Sequence, residues 1–233
     1  MIRPTETYTD SFGQTIEFSV PEPHKKICIN ISGGADSAIL LWMLIQYCET
    51  HIPEAEIYVI TSANPIKGWY NAIWSTRVLD KVLQLTGTTL IKNHYTFYST
   101  DQIRSEITEA ENLQKNLHEI TFILHGTTQN PPHEVRDTFS LESYKPRDPG
   151  HKRPVMYDNN DTTTCVPFIK VDKRMVAHLY EHFNLTDALF THTRSCEWHE
   201  GFEFNGKLVP NPEDEHCGEC WWCQERKWAF GRL

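Results

Sequence analysis

The chain has 233 residues, 39% of them apolar and 23% charged, with 22 basic against 31 acidic side chains and a formal charge of −9. That length suits one large domain or two small ones with a sizeable core. The 12% aromatic content argues against disorder, and the acidic balance denies the chain the broad positive field that generic duplex binding needs. The longest apolar run, Ala38 to Ile45, falls far short of the ~20 residues that span a bilayer. The first eight residues lack the apolar core of a signal peptide, so a cytoplasmic protein with no membrane partner is expected.

Residues 1–24 are polar, punctuated by Pro4, Pro21 and Pro23, and read as an extension with a hairpin around Phe12-Gly13. Lys26 to Ile31 is β-rich and apolar at nearly every position, as a strand buried on both faces should be. Asp36 to Cys48 carries a helical stripe of Ile39, Leu40, Met43, Leu44 and Tyr47. Glu56 to Thr61 predicts a second buried strand, Tyr70 to Leu85 a second helix stopped by Gly87, and Thr88 to Ile91 a third strand. A polar helix follows from Asp101 to His118, then a fourth strand from Ile120 to Leu124. This alternation predicts an α/β fold, doubly wound and Rossmann-like, on a mostly parallel sheet whose ligands bind beyond the carboxyl ends of the strands. Residues 126–166, rich in proline, glycine and charge, break the rhythm and read as a long functional loop. Asp172 then caps a helix reaching Phe183, and Gln224 to Phe230 forms the last helical segment.

The most informative stretch is Ile31-Ser32-Gly33-Gly34-Ala35-Asp36-Ser37, between the first strand and the first helix. Two adjacent glycines let the backbone turn tightly and present N–H groups to an anion. Ser32 and Ser37 add hydroxyls, and the following helix directs its positive end at the same place, which suits a pyrophosphate. A Walker loop would need a lysine after the glycines, and a dinucleotide fingerprint a third glycine; neither is present. A plain Gly-Gly turn with an Asp-Ser helix cap is the bland alternative, and the whole string after a buried strand outweighs it. Asp36 would repel phosphate unless it holds Mg²⁺ or orients a donor, and both roles stay open.

Ser32-Gly-Gly-Ala-Asp-Ser37 resembles the signature of the PP-loop ATP pyrophosphatases. The resemblance implies an adenine nucleotide α-hydrolase-like fold and cleavage of ATP between its α- and β-phosphates, through attack of a substrate oxygen on the α-phosphorus. It also implies that the residues from Ile31 to Ser37 hold the nucleotide's phosphates, and that Tyr58 to Ala63, with Thr61, borders the adenine.

Four of the seven cysteines crowd the C-terminus: Cys196, then Cys217, Cys220 and Cys223 at two-residue spacers. Four converging thiolates satisfy a tetrahedral Zn²⁺ of the structural kind. A redox dithiol needs fewer cysteines, while an iron–sulfur cluster also uses four and remains open. His199 and His216 are reserve ligands, and Trp221 and Trp222 are expected to pack over the site.

The second half is similar to the C-terminal half of 7-cyano-7-deazaguanine synthases. The match runs over Pro167 to Lys173, Thr193-Arg-Ser-Cys196, and Cys217-Gly-Glu-Cys-Trp-Trp-Cys-Gln-Glu-Arg226. That resemblance implies a structural zinc on Cys196, Cys217, Cys220 and Cys223, and a small deazapurine-like substrate with ATP as co-substrate and Mg²⁺. It puts Lys173 and Arg226 on family positions and implies a homodimer; Asp36 and Lys173 are the catalytic candidates, Lys173 reading either as a residue that neutralises a phosphate or as a solvated lysine beside the Asp172 cap. The implied reaction converts 7-carboxy-7-deazaguanine to a nitrile with ATP and ammonia. The chain departs from the family at Thr61-Ser-Ala-Asn-Pro65, after the fourth strand, and in the longer spacer between Cys196 and Cys217. The expected organisation is therefore an extension over 1–24, a PP-loop domain over 25–195 with its long loop, and a zinc-binding segment over 196–233.

Other candidates are His125, His192 and Arg194 as substrate contacts, and Lys145, Arg147, Lys152 and Arg153 as a basic loop that keeps a polynucleotide substrate open. Two further readings stand beside the synthase: a PP-loop sulfurtransferase or amidotransferase acting on RNA or protein, with Cys165 as the spare thiol, and a catalytically idle nucleotide-binding module.

Overall fold

The computed structural model describes residues 3–63, 70–98, 103–139, 154–159, 161–196, 202–204, 207–209 and 216–233. The chain begins with an antiparallel hairpin, β1 (Glu6–Thr9) and β2 (Thr15–Phe18), turning through Phe12-Gly13. Alternation in β2 buries Ile16 and Phe18, and with Val20 they join the main core.

The central sheet has six strands: β3 (Lys26–Asn30), β4 (Glu56–Ala63), β5 (Ile91–Tyr98), β6 (Phe122–His125), β7 (Met156–Asn159) and β8 (Thr162–Cys165). Their order is β5-β4-β3-β6-β8-β7, all neighbours parallel except the antiparallel β7–β8 pair. The helices are α1 (Ala35–His51), α2 (Tyr70–Thr86), α3 (Ile103–His118), the single-turn α4 (His133–Arg136), α5 (Lys173–His182) and α6 (Trp221–Phe230). The period-two alternation of buried strands sorts their side chains between two apolar layers. Ile27, Ile29, Ile57, Val59, Phe122 and Leu124 face one layer with α1, α2 and α5, while Cys28, Tyr58, Ile60 and Ile123 face the other with Ala110 of α3. The fold is thus doubly wound, and the chain reverses direction across the sheet between β3 and β6.

Two segments differ from the sequence expectation. The third strand starts at Ile91 and runs to Tyr98. It lies at the sheet's edge, so exposed polar residues such as Lys92 and Asn93 are tolerated and no continuous apolar run marks it. Residues 126–166 are not one loop: β8 adds to β6, and β7 folds back on it. Thr162-Thr-Thr-Cys165 is β-branched yet hardly hydrophobic, which hid it from an apolar count. Between Cys196 and Cys217 a further small hairpin forms from β9 (Phe202–Phe204) and β10 (Lys207–Val209). Among the described residues, no helix is long and apolar enough to cross a membrane.

Candidate nucleotide site and cysteine cluster

The glycine pair lies where β3 passes into α1, at the point where the sheet's winding reverses. Ile31 continues the strand, with its N–H on the Ile60 carbonyl at 2.9 Å. Gly33 has φ +82°, and a Cβ there would lie 2.6 Å from the backbone carbonyl carbon of Trp74 in α2. Glycine alone fits that left-handed, closely approached position. Gly34 is the extended N-cap of α1, and among the described residues no side chain caps the helix. The first-turn N–H groups therefore lack both intrahelical acceptors and a side-chain substitute, the arrangement that binds anions. The Ser37 hydroxyl closes the loop from within, accepting from the Ser32 N–H and donating to the Gly34 carbonyl, each at 3.2 Å.

Thr61, expected beside the adenine, is fully buried; its hydroxyl donates to the Ile31 carbonyl at 2.9 Å and lies 2.9 Å from His94 Nε2. Its side chain supports the loop from behind. Ala35 is buried too, its carbonyl accepting from the Tyr180 hydroxyl at 2.9 Å. Gly126, just past β6, packs against the first turn of α1: a Cβ there would be 3.0 Å from backbone atoms of Asp36 and Ser37.

Asp36 and Lys173 come together from opposite halves of the chain. The Lys173 ammonium donates to Asp36 Oδ2 at 2.9 Å and lies 3.6 Å from Glu225 Oε2. Lys173 is 3% exposed, Glu225 fully buried and Asp36 18% exposed, so the aspartate is the member that reaches toward solvent. Asp36 Oδ1 has no hydrogen-bond partner among the described residues. Arg226 is buried beside this group. Its guanidinium donates to Thr193 Oγ1 at 2.8 Å and the Phe190 carbonyl at 3.0 Å, and sits 3.7 Å from the Phe190 ring centroid. Burial lowers its pKa to about 10, and nearby acids, Asp36 among them, oppose the shift. Arg194 is buried at the mouth of the loop. Its backbone N–H donates to the Gly33 carbonyl at 2.9 Å, and its guanidinium lies over the Trp74 ring.

Cys196, Cys217, Cys220 and Cys223 place their sulfurs within 4.8 Å of one another, with Cys196–Cys220 and Cys217–Cys223 each at 3.9 Å. Four thiolates around one ion at ~2.3 Å stand about 3.8 Å apart. A cubane iron–sulfur cluster would spread them to about 6 Å, wider than this group. The Cys220 N–H points at Cys217 Sγ (3.3 Å), as the turn through Gly218 requires. Crowding by Cys196 pushes the Cys220 thiol up to about 12 and drives Cys223 up as well. Only a cation makes such a cluster of thiolates tenable. Trp222 packs on the cluster, whereas Trp221 turns away to meet Phe139 edge-on at 4.9 Å.

His216 is outside the sulfur group, half-buried, its pKa lowered to about 4 chiefly by burial. His125 pairs with Glu111 at 2.9 Å, and His192 is exposed. His199, Lys145, Arg147, Lys152, Arg153 and the Asn64-Pro65 turn lie outside the described residues. Glu225, Gly126 and Trp74 escaped the sequence reading. Glu225 carried a signal, being an acid two residues after the last cysteine of a metal-type triplet, but its partner Lys173 is far away in sequence.

No family model and no curated protein matches the sequence. Among solved structures, the chain is similar to a U34-tRNA thiolase from Methanococcus maripaludis described with its 4Fe–4S cluster (15% identity over 69% of this chain and 56% of that one, TM-score 0.45). It is similar to an FMN adenylyltransferase from Candida glabrata in complex with FMN and an ATP analogue (10% identity, 66% and 48%, TM-score 0.43). It is also similar to an NAD⁺ synthetase from Burkholderia pseudomallei (12% identity, 90% and 75%, TM-score 0.45). The chain spans about half the length of the first two.

Proposed function

We propose that this chain is a PP-loop ATP pyrophosphatase that adenylates an oxygen of a small carboxylate and passes the activated carbon to ammonia, as 7-cyano-7-deazaguanine synthases do. The observation that carries the reading is the Gly33–Gly34 turn, at the sheet's reversal point, opening an uncapped helix beside the Asp36–Lys173 pair. Loop N–H groups of residues 33–37 receive the β- and γ-phosphates. Asp36 offers an oxygen to Mg²⁺, which when bound neutralises phosphate charge, and Lys173 offsets the charge growing on departing pyrophosphate.

In the proposed sequence the carboxylate oxygen of 7-carboxy-7-deazaguanine bonds to the α-phosphorus, and the bond to the β-phosphate bridge breaks, releasing pyrophosphate. Ammonia then displaces AMP at the carbonyl carbon and gives the amide. A second adenylation, on the amide oxygen, lets AMP leave as the nitrogen gives up its protons, and the nitrile forms.

Residues named by the family resemblance support this reading by meeting in space. Lys173 meets Asp36, Arg226 meets Thr193, and the four cysteines meet one another. The cysteines would hold a structural zinc, whose tetrahedral span matches the sulfur spacing. The thiolation alternative is weakened at Cys165, which is buried in β8 with its thiol pushed up to about 12 by desolvation.

The test is mass spectrometry after incubation with ATP, ammonium and 7-carboxy-7-deazaguanine. A product at the mass of the amide or the nitrile is expected, with pyrophosphate formed alongside. Pyrophosphate released only with a different acceptor would discard the deazapurine.

A further inference from the structure

The two halves of the chain meet at a buried group of four charges that the phosphate loop alone does not explain. Asp36 and Glu225 supply two carboxylates; Lys173 and Arg226 supply two cations. Glu225 stands two residues past Cys223 on α6, so the cysteine cluster fixes the turn that delivers it. Its carboxylate lies 3.6 Å from the same ammonium that donates to Asp36 at 2.9 Å. Lys173 is therefore shared between a carboxylate at the loop and one that solvent never reaches.

From this sharing we infer that Glu225 is a positioning residue that makes the loop select the magnesium-bound nucleotide over the free one. The inference rests on the nucleotide reading of the loop given above. Asp36, Glu225, Lys173 and Arg226 sum to zero charge. Without the Glu225 charge the group is left at +1, and Lys173 swings its whole pull onto Asp36 and the phosphates. A free triphosphate carries about twice the negative charge of its magnesium complex. The added positive charge therefore strengthens binding of the free form more than that of the magnesium form. At a buried separation of several ångströms, one unit charge is enough for about a tenfold difference. Glu225 has a second effect in the same direction, because it draws Lys173 off Asp36 and leaves the aspartate freer to meet a divalent cation.

The experiment uses the full chain with its metal in place and the probe AMPCPP, which cannot be cut between its α- and β-phosphates. Calorimetric titrations are run with saturating Mg²⁺ and in magnesium-free buffer without chelator, so that the cysteine cluster keeps its ion. The readout is the ratio of the magnesium-free Kd to the magnesium Kd. For E225Q this ratio should fall about tenfold, and E225D should restore it to near the wild-type value. A role in packing alone would weaken both affinities together and leave the ratio unchanged, and that result overturns the inference. If E225Q does not fold, K173M and K173M/E225Q read the same step in charge without a buried lysine that has lost one of its two carboxylates. The ratio should again fall about tenfold from the single to the double variant, and an unchanged ratio again overturns the proposal. Wild-type protein that bound AMPCPP in neither buffer would instead remove the nucleotide reading itself. Binding with an unchanged ratio in the variants removes only the role of Glu225.

Discussion

The glycine loop after β3 and the cysteine cluster reach defined geometry by different routes. Residues 31–37 are held by backbone: a parallel sheet on one side, the Trp74 backbone against Gly33 on the other, and Gly126 beneath the first turn of α1. Nothing in that arrangement needs an ion. The cluster brings Cys196 to Cys217, Cys220 and Cys223 across a spacer whose described residues form two paired three-residue strands, β9 and β10. Four thiols within 4.8 Å repel ionisation unless a cation sits among them. The loop is a preformed cradle; the cluster is conditional. Because α6 begins at the cluster and carries Glu225, which lies 3.6 Å from the lysine that pairs with Asp36, the conditional region governs part of the preformed one.

The sharpest way to separate the two is to remove the metal. Chelation, or Cys223→Ser, should release α6, withdraw Glu225 and Arg226 from their partners, and lower the thermal midpoint steeply. Structural zinc sites carry on the order of 10 kcal/mol of apparent binding energy, and added Zn²⁺ should restore the transition after chelation but not in the serine variant. A midpoint indifferent to chelator would mean that the loop and its sheet support α6 by themselves.

Gly33→Ala tests the other region. The new Cβ meets Trp74 backbone at 2.6 Å in a left-handed conformation, so a loss of about 3 kcal/mol is expected in urea unfolding, with AMPCPP binding abolished. Normal nucleotide binding by this variant would show that the loop is not the cradle.

Asp36→Ala removes a residue that reaches solvent, and leaves Lys173 its contact with Glu225. Stability should fall by only about 1–2 kcal/mol. Pyrophosphate release should disappear; its persistence would assign Asp36 to structure. A protein that never released pyrophosphate yet kept its nucleotide would fit the idle-module reading.

Gly126→Ala is gentler, with a Cβ at 3.0 Å from the Asp36 and Ser37 backbone, and about 1 kcal/mol is expected with weaker AMPCPP binding.

The smallest effect concerns His94, whose pKa burial lowers, with Asp80 opposing. A histidine depressed in the folded state is stabilising above its unfolded pKa of about 6.5 and loses that contribution as pH falls toward the folded value. Unfolding midpoints should therefore decline below about pH 6.5, and His94→Gln should flatten the decline. An unaltered pH profile in the variant would exclude the histidine as its source.

Much of this was legible in residue order. Buried strands at Lys26–Asn30 and Glu56–Ala63 announce themselves by near-continuous apolar runs, because both their faces meet helices. Asp172 was legible as a cap, and its side chain does accept from the Arg174 N–H. β7 and β8 were not, since the polar end of β7 and the threonines of β8, at and beside the sheet's edge, show no apolar pattern. Thr61 could be placed at the end of β4 from its sequence, but which way its hydroxyl pointed depended on the pleat, and it points inward to Ile31.

By itself the residue order determined the glycine turn after a buried strand and the four thiols at metal spacing, since both are short-range devices whose geometry is set within a few bonds. Only the tertiary structure decided that Lys173 would reach Asp36, that Glu225 would stand behind it, and that Arg226 would lie on Phe190. Those pairs join residues far apart in the chain. Their distances depend on the order of six strands and on how α1, α5 and α6 pack, and neither is encoded by any one segment.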